Sequence, residues 1–187
     1  MCTLLLIGVA TAELYERWLT YVAPHSVTGA KNGRSAHLID VYIEWRNSLY
    51  IIDYAAQNDK EFWFSLDRHM PESEFSLKVR DKRGYVIRDS EKPIGILRYN
   101  LFWDNIPFLS LIHFEEGYRR KGFGKKSMLH WEKDMQMLGY KAVMTSTQVD
   151  EDAQHFYRKL GYKDAGCLVL DIPGYEQPLE MFMIKSL

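Results

Sequence analysis

The hydrophobic pattern of the chain becomes regular from Leu49 onward. Leu49–Ala55 reads as a strand, followed by a helix over Asn58–Arg68 with Asn58 as its cap. Pro71 is placed to open a second helix over Glu72–Arg83. Tyr85–Arg88 and Ile94–Phe102 read as paired strands joined by the turn Asp89–Pro93, and Phe108–Phe114 as a third strand of that group. After Gly122, the positions Gly124, Met128, Trp131, Met135 and Leu138 recur at steps of four and three, the buried stripe of a helix that Gly139 ends. Lys141–Thr147 returns as a strand. Ala153, Phe156, Tyr157 and Leu160 mark a short amphipathic helix closed by Gly161. Cys167–Ile172 and Leu179–Ile184 read as the last two strands. The order β-α-α-β-β-β-α-β-α-β-β predicts a mixed α/β domain with helices on both faces of its sheet.

Residues 1–48 read differently and form an N-terminal extension of unknown role. Leu14, Trp18, Tyr21 and Val22 share one face of a short helix, and Pro24 to Ser35 carries a loop composition. His37 to Trp45 suits a helix by one set of apolar positions and a strand by another. The apolar run Leu4 to Ile7 lacks a basic leader, and Glu13, Glu16 and Arg17 interrupt it before it reaches membrane-spanning length. The domain proper is expected at 49–187.

Composition narrows the functional classes. The 187 residues are 47% hydrophobic, which excludes general disorder. Lys and Arg total 24 against 25 Asp and Glu, a net charge of −1, so no global attraction to nucleic acid or anionic membrane is expected. Any anion site must come from local clustering. Cys2 and Cys167 fit neither a disulfide framework nor a zinc ribbon, and a reducing, cytoplasmic compartment follows as the expectation. His130 and His155 lie on predicted helices without metal-ligand spacing, so no metal is assigned.

The chemistry concentrates in Phe114-Glu-Glu-Gly-Tyr-Arg-Arg-Lys-Gly-Phe-Gly-Lys-Lys126, which leaves a strand, turns through glycines and enters a helix. Five of the eight residues from Arg119 to Lys126 are cationic. Cations at a helix N-terminus oppose the macrodipole, whereas an anion docked on the exposed N–H groups reverses that sign. Gly122 and Gly124 allow the backbone to approach such an anion closely. A Walker loop fails because Phe123 holds its lysine position, and the dinucleotide fingerprint fails at Ser127.

The pattern that fits is R-x-x-G-x-G, from Arg119 through Gly122 to Gly124, directly after a strand. Here the sequence resembles the GNAT superfamily of acetyl-CoA-dependent N-acetyltransferases. The resemblance continues in Asp150-Glu-Asp-Ala-Gln-His-Phe-Tyr-Arg-Lys-Leu-Gly-Tyr162, similar to the family's N-x-x-A-x-x-F-Y-x-x-x-G-F segment. It implies a mixed, mostly antiparallel central sheet with helices on both faces, and acetyl-CoA as co-substrate. It also implies that backbone amides across Arg119, Arg120, Lys121, Gly122, Phe123, Gly124 and Lys125 hold the CoA pyrophosphate. The strand around His113 and Phe114 would pair with the pantetheine arm. Phe156 would pack under that arm, and Asp150 stands where the family often has Asn.

For the reaction, the resemblance implies Tyr157 as the acid that protonates the leaving thiolate and the Phe114 backbone N–H as the oxyanion donor. Candidates for the base are His113, Glu115 and Asp104. The expected acceptor is a primary amine, on a small molecule or a peptide, attacked directly, with no nucleic acid or membrane partner. Self-association into a homodimer stays open. The alternative reading is a catalytically silent acyl-CoA-binding or regulatory module.

Overall fold

The computed structural model describes residues 50–187, so the expected helix, loop and ambiguous segment before Leu49 lie outside the described residues. Eleven elements follow in the order expected: β1 (Tyr50–Tyr54), α1 (Lys60–Leu66), α2 (Glu72–Arg80), β2 (Gly84–Asp89), β3 (Lys92–Phe102), β4 (Ile106–Phe114), α3 (Phe123–Met137), β5 (Ala142–Gln148), α4 (Ala153–Lys159), β6 (Lys163–Leu168) and β7 (Glu180–Ser186). The strands form one sheet in the order β1-β2-β3-β4-β5-β7-β6. Every neighbouring pair is antiparallel except β4 and β5. That exception is where the site forms.

The two faces of the sheet carry separate cores. On one, Trp63 of α1 and Phe75 of α2 pack with Val86 and Ile96. On the other, Met128, Trp131 and Met135 of α3 and Tyr157 of α4 pack with Leu97, Leu109, Val143 and Met183. Met128, Trp131 and Met135 of the stripe expected from its four-and-three spacing therefore form a core face, the ordinary use of such a pattern, whereas Leu138, expected on the same stripe, lies past the end of the helix and is 60% exposed. Both helices of that layer stop at left-handed glycines, Gly139 and Gly161, each with φ of 92°. Tyr140 N–H donates to Met135 O and Tyr162 N–H to Tyr157 O, each at 3.1 Å, which satisfies carbonyls of the last turn.

Three local expectations need correction. Asn58 does not cap α1: residues 57–59 form a single 3₁₀ turn, and the Asp59 carboxylate accepts from Ala56 N–H at 2.9 Å instead. The second helix ends at Arg80 rather than Arg83, because Lys82 adopts a left-handed φ of 54°. The strand expected at Cys167–Ile172 runs instead over Lys163–Leu168. It is the sheet's edge and exposed along its whole length, so the in-out alternation that marks a half-buried strand is missing. Among the described residues no helix is long and apolar enough to cross a membrane.

Candidate functional site

β4 and β5 pair over two positions only, Phe108 with Met144 and Leu109 with Thr145. The Thr145 hydroxyl donates to Leu109 O at 3.2 Å and closes this vertex. Beyond it the strands part: β4 stays with β3 as far as Phe114, and β5 stays with β7 as far as Gln148. Glu115 N–H donates to Ile94 O on β3 at 2.9 Å. Alternation along a strand then turns the N–H and C=O groups of Phe114 and Ile112 the other way, into the gap. Such an edge accepts an extended polyamide arm as an added strand.

At the open end the chain turns into α3. Arg120 and Gly122 both take left-handed backbone, with φ of 60° and 88°. The first helical bond runs from Lys126 N–H to Gly122 O at 3.2 Å, so the amides of Phe123, Gly124 and Lys125 emerge from the first turn of a 15-residue helix. A Cβ at Gly122 would meet nothing within 4 Å, and the space above the turn is open. A cleft of about 530 Å³ lies here. It gathers Phe114, Arg119, Arg120, Gly122, Gly124, Lys125 and Phe156, seven of the residues the sequence singled out. Helix terminus, left-handed turn and exposed cations together suit a diphosphate.

Three lining residues were not anticipated: Tyr118, Lys159 and Leu160. Lys159 extends the cationic rim from α4. Its signal in the sequence was its position two residues after Tyr157. Tyr118 rests on the Phe123 ring at 5.8 Å, with the Lys121 ammonium 5.6 Å from its own ring centre.

The other expected residues stand off the cleft. Phe123 is held by Tyr50, whose ring lies 5.2 Å away and whose hydroxyl donates to Phe123 O at 3.0 Å. Burial raises the Tyr50 hydroxyl to about 12, against a hydrogen bond to Ser127 that lowers it, so it stays protonated as a donor. Asp150 is exposed in the turn after β5. Tyr157 is only 6% exposed, edge-on to Phe156 at 5.3 Å and Tyr162 at 5.7 Å. Burial pushes its hydroxyl up, and the side-chain hydrogen bond with Thr145 only opposes this.

Thr145 faces Leu109 at the vertex, and Phe114 lies five residues further along β4, roughly 16 Å at strand rise. Tyr157 and Phe114 belong to one core cluster. The amides of Phe114 and Ile112 face the gap beyond the vertex.

The three base candidates separate clearly. Asp104 sits in the β3–β4 turn before β4 begins, on the far side of the vertex from the open end of the gap. Glu115 is paired with Lys92 at 3.0 Å. His113 Nε2 lies 2.8 Å from a terminal guanidinium nitrogen of Arg119. Because guanidinium only donates, Nε2 accepts and the proton sits on Nδ1. Burial, then the Arg119 charge, push the His113 pKa below the usual histidine value, while Asp67 opposes them. The ring is therefore neutral near pH 7. Among the described residues no group of three His, Cys, Asp or Glu side chains could hold a metal ion.

Comparison with known proteins agrees with this geometry. The family model described as Acetyltransferase (GNAT) family matches residues 36–162. Among solved structures, Ard1 from Thermoplasma volcanium superposes with a TM-score of 0.65 at 15% identity, covering 74% of this chain and 97% of its own. An acetyltransferase from Bacillus subtilis in complex with CoA gives 0.59 at 16%, covering 74% and 99%. Naa50 from Arabidopsis thaliana in complex with the bisubstrate analogue CoA-Ac-MVNAL gives 0.60 at 12%, again covering 74% and 99%. A search of curated protein sequences returns no match. The parted strands, the R-x-x-G-x-G turn and the matched family model lead to one assignment: the chain belongs to the acetyltransferase (GNAT) family, whose acetyl donor is acetyl-CoA.

Proposed function

We propose that the protein transfers acetyl from acetyl-CoA to a primary amine by direct attack, without a covalent acyl-enzyme. The observation that carries this reading is the gap between β4 and β5, open beside the cationic turn at the start of α3. In this arrangement the amides from Arg119 to Lys125 hold the diphosphate, and Lys159 adds a charge from the opposite side. The strand around His113 and Phe114 serves the pantetheine arm, and the Phe114 amide serves the oxyanion.

As the amine nitrogen bonds the thioester carbon, the C–S bond breaks and the Tyr157 hydroxyl gives its proton to the departing sulfur. The proton shed by the new amide nitrogen restores Tyr157. A hydroxyl whose pKa is pushed up by burial is protonated at neutral pH, as an acid must be.

The acceptor is the open element. Naa50 carries a peptide-based analogue, and a peptide N-terminus and a small amine both suit the reading. We place the protein in the cytoplasm, with the catalytic unit at 49–187 and no nucleic-acid partner. The deciding experiment follows thiol release from acetyl-CoA across a panel of small amines and peptides, beside CoA binding by calorimetry. Turnover with any amine supports the enzyme. Tight CoA binding without turnover across the whole panel supports a silent acyl-CoA module instead.

A further inference from the structure

Three phenylalanines form a cluster that belongs to neither core. The Phe108 ring on β4 lies 6.0 Å from Phe102 on β3 and 6.0 Å from Phe182 on β7, and those two lie 6.2 Å apart. Trp103, in the turn after β3, stands 4.7 Å from Phe102 and is 77% exposed. Alternation fixes the face of the phenylalanines. Their strand neighbours Leu101, Leu109, Met181 and Met183 pack toward α3 and α4, so Phe102, Phe108 and Phe182 point to the opposite side of the sheet. The core that α1 and α2 form on that side is built over Val86 and Ile96, with Leu111 at its edge, and does not take in the cluster. Phe108 is also the residue that pairs with Met144 where β4 and β5 part. The cluster thus stands at the vertex of the gap, on the face away from α3 and α4. None of its side chains carries a charge. The polar groups beside Phe108 are engaged with one another: Asn100 Nδ2 donates to Ser110 Oγ at 3.2 Å, and the Lys78 ammonium donates to the Asn100 side-chain oxygen.

We propose that this cluster seats the acceptor, and that the acceptor is a primary amine carried on an aromatic body, an arylalkylamine. In the acetyltransferase reading, on which this rests, the arm enters at the cationic turn and runs along β4 toward the vertex. Its thioester end then lies toward Phe108. On the α3–α4 side the gap is backed by the packed core of Leu109, Phe114 and Tyr157. An amine therefore reaches the thioester carbon from the other side, past the rings of Phe108 and Phe182. Rings at these separations present faces and edges that suit a further aromatic group, and a π face also suits the ammonium before it loses its proton. The nitrogen bonds the acetyl carbon as the C–S bond breaks, as in the reaction above, and the aromatic body takes no part. A polyamine would need carboxylates along its length, and the cluster supplies none.

The test follows thiol release from acetyl-CoA on the full chain with phenethylamine, ethylamine, putrescine and trialanine. Phenethylamine should give a kcat/KM at least ~10-fold above ethylamine, the effect of burying a phenyl ring. Phe182→Ala should remove most of that preference while calorimetry shows CoA affinity unchanged, and Phe182→Leu should recover part of it. Where Phe182→Ala does not fold, Trp103→Ala, at an exposed position, reads the same ratio and should lower it. Equal kcat/KM for phenethylamine and ethylamine, or a preference that survives in the folded variant, overturns the proposal. Putrescine or trialanine used better than phenethylamine overturns it too, and both results leave the acetyltransferase reading standing. Thiol release with none of the amines removes that reading and the acceptor with it. A wild-type dimer in sedimentation that Trp103→Ala dissolves assigns the cluster to a second copy and likewise overturns the proposal.

Discussion

Replacing the two glycines of the turn separately distinguishes backbone strain from a cofactor clash. Gly122 has φ of 88°, and a Cβ there would meet no protein atom within 4 Å. Gly122→Ala therefore creates no internal overlap, but it places an L-residue in left-handed backbone at a cost of about 1–2 kcal/mol. For a chain of this size that lowers Tm by roughly 2–8 °C. The new methyl also points into the open cleft where the diphosphate approaches, and CoA affinity should fall at least ~10-fold, about 1.4 kcal/mol. Gly124 differs. It lies in the first turn of α3, and its Cβ would sit 3.6 Å from Phe156 Cζ and 3.9 Å from Phe114 Cε2, ordinary contact distances. Gly124→Ala should leave Tm unchanged or raise it, because alanine is better than glycine in a helix by up to ~1 kcal/mol. Its CoA affinity should stay within a few-fold of wild type. Thermal shift with and without CoA, with calorimetry on the same samples, reads both quantities. Saturating CoA at 100 times its Kd should add about 2.7 kcal/mol to the wild type. Wild-type affinity in Gly122→Ala would refute the placement of the diphosphate, and a destabilised Gly124→Ala would refute the packing described for the turn.

Tyr157→Phe keeps the ring packing and should keep CoA affinity while lowering kcat and kcat/KM together by ~100-fold. Since burial raises the hydroxyl above the usual tyrosine value, the wild-type rate should show no alkaline loss from this group below about pH 10. Asp67→Ala leaves Arg98 without its partner under α1, and urea denaturation should show a loss of about 3 kcal/mol, less than for a fully buried pair because Arg98 is partly exposed. A loss below ~1 kcal/mol would class the pair as a surface bridge. A chain beginning at Leu49 should bind CoA as the full chain does. The family match reaches back to residue 36, so failure of that fragment beside success of one starting at residue 36 would move the domain boundary upstream.

What could be read from the sequence is what a local segment decides by itself. Gly139 and Gly161 end their helices because a left-handed residue is required there whatever packs nearby. The α3 stripe and the R-x-x-G-x-G turn are equally local. What could not be read depends on neighbours in space. The edge strand Lys163–Leu168 has no alternation to detect, since neither of its faces is buried. Asp104 is near β4 in sequence, but where it stands relative to the gap depends on β4 meeting β5 at Leu109 and opening away from that turn.

The same reasoning explains why the donor is legible and the acceptor is not. In the proposed reading the diphosphate and arm are held largely by backbone groups, so the sequence has to specify only where the backbone turns and where no Cβ intrudes. Gly122, left-handed with open space above it, and a strand–helix junction do that. The other face of the sheet at the gap is built from side chains whose neighbours are distant in the chain. Phe108 lies beside the vertex on that face, since its neighbour Leu109 packs with α3. Its ring meets Phe182 of β7 at 6.0 Å and Phe102 of β3 at 6.0 Å, and Phe102 and Phe182 lie 6.2 Å apart. Three strands thus contribute to one aromatic surface, and each residue taken alone reads as ordinary strand hydrophobicity. Selectivity assembled in this way varies by single substitutions that leave the fold and the donor turn intact, so structures that share this sheet need not share an acceptor.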